Sequence, residues 1–149
     1  MLPKYHIIYG FVFTLVLSLF FGIGLLEFIL IFTASVLIDV DHYLFYIWKK
    51  KDFSLSRAYN DFAQKGKIYL SLTKESRGKY KKGHFIFHGI EFVGILIFLT
   101  FYYPIISWIL IGIIIHLILD YICLDESPLF KMSQVYVYIT NKKKKLSFD

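Results

Sequence analysis

Five histidines and four carboxylates stand at the ends of apolar segments, in sets whose spacing is that of one helix face. In chain order the sets are His6; Asp39, Asp41 and His42; His84, His88 and Glu91; and His116 and Asp120. Most members of a set are three, four or seven residues apart, and residues three or four apart share a helix face. Asp41 differs, because it is about 160° from Asp39 on a helical wheel. It could orient a ligand or face a loop.

Imidazoles and carboxylates inside a helical bundle satisfy one another best around a divalent cation. A mixed His and Asp/Glu set suits Zn, Mn, Fe or Co rather than Ca or Mg alone. The candidate ligand residues number more than four, so one or two ions are expected. Carboxylates that bind no ion could hydrogen-bond to the ligands and hold them in place. A metal-free proton or ion pathway remains the alternative for the same residues. The predicted ligands are His6, Asp39, His42, His84, His88, His116 and Asp120.

These residues belong to a chain that is too apolar for a soluble domain of its size. Over 149 residues the hydrophobic content is 57% and the aromatic content 20%, and the mean hydropathy is +0.59. A small soluble fold leaves much of its surface in water, so it could not bury so many apolar side chains. The first apolar run leads into a second without a small-residue cleavage site, so we expect a retained helix and no cleaved signal peptide.

Four apolar segments predict an all-α, polytopic membrane protein with a four-transmembrane-helix bundle in one domain over residues 1–149. The helices should cover about 5–21, 25–48, 84–103 and 105–124. A spanning helix needs roughly 20 residues. The second segment reaches that length only if its helix continues through Asp39 and His42.

The basic residues predict the orientation of these helices. All 17 Lys and Arg lie in three places: Lys4, the loop 49–83 and the tail 125–149. Cytoplasmic loops carry the excess of Lys and Arg, so both termini and the loop should face the cytoplasm at the inner membrane. All four sets of ionisable residues then lie at the cytoplasmic ends of their helices.

The cytoplasmic loop 49–83 should contain an amphipathic helix. Asp52 or Ser54 would cap it, and it would end near Gln64, before Gly66. The helix could lie on lipid headgroups or be a plain solvated linker. Its apolar face would comprise Leu55, Ala58, Tyr59 and Phe62.

The tail 125–149 carries weaker signals. Alternation over residues 135–139 weakly favours a strand, and the run Lys142–Lys145 favours anionic lipid headgroups. No nucleic-acid partner is expected, because no reading module accompanies the charge. Cys123 is the single cysteine, which excludes an internal disulfide and a multi-cysteine zinc site. The pattern leaves the oligomeric state open.

The motifs together resemble one family, the prokaryotic membrane-bound metal-dependent hydrolases (the YdjM-like group), with a distant similarity to zinc-dependent phospholipase C. The resemblance rests on the run L-I-D-V-D-H at 37–42, the pair His84/His88, the run H-L-I-L-D at 116–120 and the early His6. The chain departs from the family pattern at Ile38, where the family commonly has Pro, and around the histidines of the run H-F-I-F-H-G-I-E.

The resemblance implies a metal-dependent hydrolase at the cytoplasmic membrane face. Its substrate would be an ester or phosphoester of a lipid or lipid-linked molecule, and its metal would be zinc before Mn, Fe or Co. Glu91 or Asp41 would be the general base, since a carboxylate near the metal can take the proton of a water. Two other functions stay open: a small divalent-cation or proton channel or transporter, and a non-catalytic adaptor whose metal staples the helices.

Overall fold

The computed structural model of the chain describes residues 3–124 and 133–147, and in these ranges the fold is all-α with no strand. The elements in chain order are α1 (Pro3–Phe21), α2 (Leu25–Leu37), α3 (Val40–Lys50), α4 (Leu55–Ser71), α5 (Lys74–Gly78), a 3-10 turn (Ile86–His88), α6 (Ile90–Thr100), α7 (Ile106–Leu124) and α8 (Gln134–Asn141). The contacts divide the chain into two units. The first comprises Met1–Asp39 and Glu91–Glu126, and the second comprises Val40–Ile90 and Ser127–Asp149.

In the first unit, α2 packs against both α7 and α1. Gly112 permits the closest approach, because a Cβ atom there would overlap the backbone carbonyl of Ile31 and lie 2.9 Å from the Cβ of Ala34. Gly10 of α1 likewise faces the side chain of Ser35. Small residues at these crossings let helix backbones approach closely, as in membrane bundles.

Two segments of the described chain are long and apolar enough to cross a membrane, Lys4–Phe21 and Leu25–Lys50. The predicted span 84–103 is wrong in extent, because its α-helix is only the 11 residues Ile90–Thr100. The segment before it forms a 3-10 turn that ends at Gly89. Within the described residues, two shorter apolar helices accompany these segments, Ile90–Thr100 and Ile106–Ile122.

The apolar side chains of these two segments are mostly exposed. In an apolar stretch of 18 residues, only 17% of the residues are buried for Lys4–Phe21 and 22% for the segment Leu25–Lys50. The apolar core helix of a soluble protein would instead bury most of its side chains. Phe20 and Leu26 show the pattern, with 80% and 56% of their surface exposed. Such a surface is suited to lipid.

The predicted continuous helix 25–48 is interrupted. α2 ends at Leu37 and α3 begins at Val40, with a turn at residues 38–39. The amide of Asp39 bonds weakly to the carbonyl of Val36, 3.4 Å away. The interruption places Asp39 in a turn, outside the regular hydrogen-bonding pattern of α2 and α3.

In the second unit, side-chain bonds tie the turn between α3 and α4. The hydroxyl of Tyr43 donates to the carbonyl of Phe53 at 2.6 Å, and that of Tyr46 donates to Asp52 at 2.7 Å. Arg57 donates to both oxygens of Asp52, at 2.6 and 2.7 Å. The Arg57 guanidinium, the Ser54 amide and the Tyr46 hydroxyl together hold the pKa of Asp52 well below its usual range.

The predicted loop helix exists but is longer than expected. Ser54 caps α4 by accepting from the Arg57 amide, and the helix continues through Gly66 to Ser71. Gly66 is tolerated within the helix at a cost of about 1 kcal/mol relative to Ala. Of the predicted apolar face, Ala58 is buried, whereas Leu55 is 67% exposed.

The C-terminal segment contacts residues 80–85. Residues 135–139 lie in α8, so the weak strand prediction for them is wrong. The cap from Ser133 and the burial of Val137 favour the helix. The side chain of Asn141 bonds to both the amide and the carbonyl of Lys82, at 3.0 and 2.8 Å. Beyond the helix, the carbonyl of Leu146 accepts from the amide of Lys81 at 2.9 Å.

Candidate metal centre

His116 is the best-defined residue of the first unit's polar cluster. It lies on α7 with none of its surface exposed. Its Nδ1 atom is 2.7 Å from the backbone carbonyl of Ser35 on α2. A carbonyl oxygen only accepts hydrogen bonds, so Nδ1 carries the proton. In the neutral imidazole, Nε2 then carries the lone pair, which is the form that binds a metal.

Two carboxylates face this Nε2 atom. Asp39 Oδ1 is 3.5 Å from it and Asp120 Oδ2 is 3.4 Å from it. A lone pair beside two carboxylates inside a protein is unfavourable unless a proton or a cation lies among them. The arrangement therefore calls for positive charge at one place.

His6 completes the cluster from α1. Its ring stacks on that of His116, with centroids 3.8 Å apart and an interplanar angle of 16°. Its Nε2 atom is 3.2 Å from Asp120 Oδ1, so Asp120 spans both imidazoles. The ring is 1% exposed, and Nδ1 has no hydrogen-bond partner among residues 3–124 and 133–147.

Four residues of the first unit thus meet in one buried cluster: His6, Asp39, His116 and Asp120. His6, Asp39 and His116 can each offer a ligand atom within 4.8 Å of the others. Two charged imidazoles stacked at this distance would repel, whereas two neutral imidazoles with two carboxylates match the ligands of a divalent transition metal. The donor set fits a metal.

The second unit has its own histidine and carboxylate group. His88 Nδ1 is 3.0 Å from Asp41 Oδ2, and the Phe87 amide donates to the same oxygen at 3.1 Å. Asp41 therefore orients the His88 ring, which was one of the two roles considered for it. The ring of His42 lies beside that of His88, with centroids 4.7 Å apart, and against Phe85 at 3.8 Å.

A carboxylate that holds one ring nitrogen of a histidine commonly serves a metal ligand, because it fixes the tautomer and raises the basicity of the other nitrogen. With Nδ1 bound to Asp41, the Nε2 atom of His88 is the one suited to a metal or to a substrate proton. Asp41 is 7% exposed.

The remaining predicted site residues are His84 and Glu91. His84 is exposed and lies near the C-terminal segment, with Nε2 3.5 Å from Asn141 Nδ2 and its ring 6.2 Å from that of Tyr138. It is not helical, so the predicted common face of His84, His88 and Glu91 is wrong. Glu91 lies in the first turn of α6, half-buried.

Sequence reasoning missed the backbone contribution. The carbonyl of Ser35 sets the tautomer of His116, and no residue type announces a carbonyl acceptor. Ser35 is otherwise a small residue of α2 with no predicted role in the site. Its own hydroxyl bonds within α2 to the carbonyl of Phe32 at 2.8 Å.

Comparisons of the chain with protein-family models, with curated proteins and with solved structures found no match. The functional argument therefore rests on the chemistry of the two clusters and on the surface of the helices.

Proposed function

We propose that this protein is a membrane-embedded metal-dependent hydrolase that acts at the cytoplasmic membrane face on an ester or phosphoester of a lipid or lipid-linked substrate. The observation that carries the proposal is the Nε2 atom of His116. Its ring proton is committed to the Ser35 carbonyl, and two carboxylates face its lone pair. Such a site calls for a proton or a cation among these groups, and we infer a metal cation.

His6, Asp39, His116 and Asp120 would hold the metal, zinc before Mn, Fe or Co. A bound metal of this kind lowers the pKa of a water toward about 7 and polarises an ester or phosphoester oxygen. The chain's own residues supply the rest. Ser35 holds the tautomer of His116 through its carbonyl, and Asp120 holds both imidazoles in register.

We assign proton transfer to a histidine and carboxylate pair. In the second unit, the carboxylate of Asp41 would stabilise a proton on the His88 ring, a pairing that makes an imidazole a stronger base. We expected Asp41 to be the general base itself. In this proposal Asp41 instead has a positioning role. Glu91 remains the other candidate base, and the resemblance remains a proposal.

The membrane location draws support from the exposed apolar helices and from the distribution of lysines. We place the protein in the inner membrane with four membrane-inserted helices and both termini in the cytoplasm. This topology puts the basic loop 49–83 beside anionic headgroups, where each Lys or Arg contributes about 1 kcal/mol. A lipid-linked ester or phosphoester is then the substrate at hand.

The test uses the full chain in detergent with short-chain ester and phosphodiester lipid analogues. We expect hydrolysis that a chelator abolishes and added zinc restores. Asp120→Asn should lower the rate of hydrolysis by at least about a hundredfold. Glu75→Gln is the matched control, because Glu75 has an 87% exposed side chain. Activity that survives chelation, or equal loss in both variants, would refute the hydrolase.

One observation favours a second function, that of a metal-stapled membrane adaptor. Structural metal sites are closed, whereas catalytic sites keep an open position, and His6 and His116 are at most 1% exposed. For an adaptor, chelation would lower the unfolding temperature while no analogue is hydrolysed. For the hydrolase, the metal-loaded protein turns over substrate.

A further inference from the structure

The first and last residues of α8 both bond to the segment 80–85 of the second unit. At the end of the helix, the side chain of Asn141 bonds to the amide and the carbonyl of Lys82. At its start, the side-chain oxygen of Gln134 accepts a hydrogen bond from the Phe85 amide, with Oε1 and N 3.0 Å apart. Gln134 and Asn141 are seven residues apart, so they share one face of the helix.

Phe85 links this helix to the second unit's cluster of Asp41, His42 and His88. It directly precedes the 3-10 turn, and its carbonyl accepts from the His88 amide at 3.1 Å. Its ring lies edge-on against the His42 ring, with centroids 3.8 Å apart and an interplanar angle of 65°. Phe85 therefore contacts one histidine of the cluster through its backbone and the other through its ring.

The conformation of Phe85 depends on its surroundings. The first amides of a helical turn have no partner within that turn, so the acceptor for the Phe85 amide has to come from elsewhere, and Gln134 provides it. Gly83 leaves room for the ring, because a Cβ atom there would overlap it and lie 2.7 Å from its Cε2 atom. Loss of the Gln134 oxygen would take away this acceptor and allow Phe85 to move together with its ring.

We propose that Gln134 is a positioning residue for the second unit's cluster. Its side-chain oxygen holds Phe85, and Phe85 in turn holds the His42 ring and the backbone of His88. The inference rests on the proposed function, because His88 is the group to which we assign the proton. A group displaced by about 1 Å can cost about a hundredfold in rate, so the bond affects hydrolysis although Gln134 contacts no reacting group.

The test replaces Gln134 by Met in the full chain in detergent. Met is similar to Gln in length and in helix propensity, but it lacks the amide oxygen. Gln134→Glu keeps an acceptor oxygen and serves as the rescue variant. Gln64→Met is the matched control, because Gln64 is exposed on α4.

The main measurement is the NMR signal of the His42 ring protons, which the neighbouring Phe85 ring displaces from their usual position. Phe85→Leu shows where these signals lie without that ring. Gln134→Met should move them towards their position in Phe85→Leu, whereas Gln134→Glu and Gln64→Met should leave them as in the unchanged protein. A general loss of stability would lower the unfolding temperature without moving the signals of the folded protein.

The second measurement is the hydrolysis of the lipid analogues. Gln134→Met should lower kcat by about ten- to a hundredfold with KM unchanged, and Gln134→Glu should restore kcat. If the unchanged protein hydrolyses nothing, movement of the His42 signals in Gln134→Met would refute the hydrolase and still support the placement of the rings by Gln134. The proposal is overturned if the His42 signals stay in place in Gln134→Met, if they move equally in Gln134→Glu or Gln64→Met, or if an active protein keeps its full kcat in Gln134→Met.

Discussion

At the scale of single residues, the location of one proton decides what the buried cluster can bind. The Ser35 carbonyl fixes the Nδ1 proton of His116, so Nε2 can receive a metal. A histidine with the other tautomer would present an N–H group to Asp39 and Asp120 and would need no cation. The burial of His116 and its partners, more than the presence of a histidine, make the cluster a candidate metal centre.

The tautomer of His116 can be observed directly. In ¹⁵N-labelled protein freed of metal, long-range ¹H–¹⁵N spectra should show His116 protonated at Nδ1, because only that nitrogen faces a carbonyl. His84 is the control within the same spectrum, since it is exposed to solvent and its Nε2 atom faces the side chain of Asn141. A His116 signal typical of the Nε2–H tautomer would contradict the assignment.

The carboxylate of Asp41 should affect the protonation of the His88 ring. We expect Asp41→Asn to lower the pKa of His88 relative to the unchanged protein, because the carboxylate that favours the imidazolium is gone. An NMR titration of the ring measures it. Asp61→Asn is the matched control, because Asp61 pairs with Lys65. A His88 titration unchanged by Asp41→Asn would show that the carboxylate does not act on the ring.

At the scale of elements, the crossing of α2 and α7 brings the residues of the buried cluster together. Gly112 determines how closely these two helices approach each other. Gly112→Ala should destabilise the protein by about 1–3 kcal/mol, because its Cβ would overlap the Ile31 backbone. Unfolding in detergent measures this.

Gly94→Ala is the control for that change. A Cβ at Gly94 meets no atom within 4 Å in the described residues, so Gly94 does not lie at a close helix crossing. Alanine there should be neutral or stabilising, since it favours a helix over glycine by about 0.5–1 kcal/mol. Equal destabilisation by both substitutions would mean that the α2–α7 crossing is looser than the structure has it.

The turn between α3 and α4 should fail in acid. The pKa of Asp52 is held below its unfolded value of about 3.9. Its contribution to stability is therefore present above about pH 4 and is lost as the pH falls below that value. Between about pH 6 and pH 3, the unfolding temperature should fall more steeply for the unchanged protein than for Asp52→Asn. An equal fall of the unfolding temperature in both proteins would show that Asp52 does not cause the acid sensitivity.

Much of this organisation could be predicted from the sequence. The apolar runs correctly predicted α1 and α7 to within two residues, and the helical spacing of His116 and Asp120 predicted that they act together. The predictions that failed depended on backbone conformation. The 3-10 turn at Ile86–His88 and the break at residues 38–39 occur in sequences whose apolar patterns are compatible with continuous helix. The bonds from Phe87 and His88 to Asp41 stabilise the 3-10 turn and are distant in sequence, so no local pattern reveals them.

At the scale of the whole molecule, exposed apolar surface and segregated charge act together. Long apolar helices with exposed side chains are suited to lipid, and in the topology that we propose the lysines determine which side faces the cytoplasm. In cells, with Cys123→Ser as background, Lys67→Cys should react with a membrane-impermeant thiol reagent only after the membrane is opened. Tyr102→Cys, in the turn before α7, should react in intact cells once the outer membrane is permeable. The reverse pattern would invert the topology that we propose.

The central claim is that the buried cluster holds a transition metal, and elemental analysis of the purified full chain tests it most directly. We predict at least one equivalent of zinc or a similar metal per chain that survives dialysis. His116→Gln should lose it, while His84→Gln, which changes an exposed histidine outside both clusters, should keep it. A chain that contains no metal and takes up none, or a His116→Gln variant that retains its full metal content, would contradict the account.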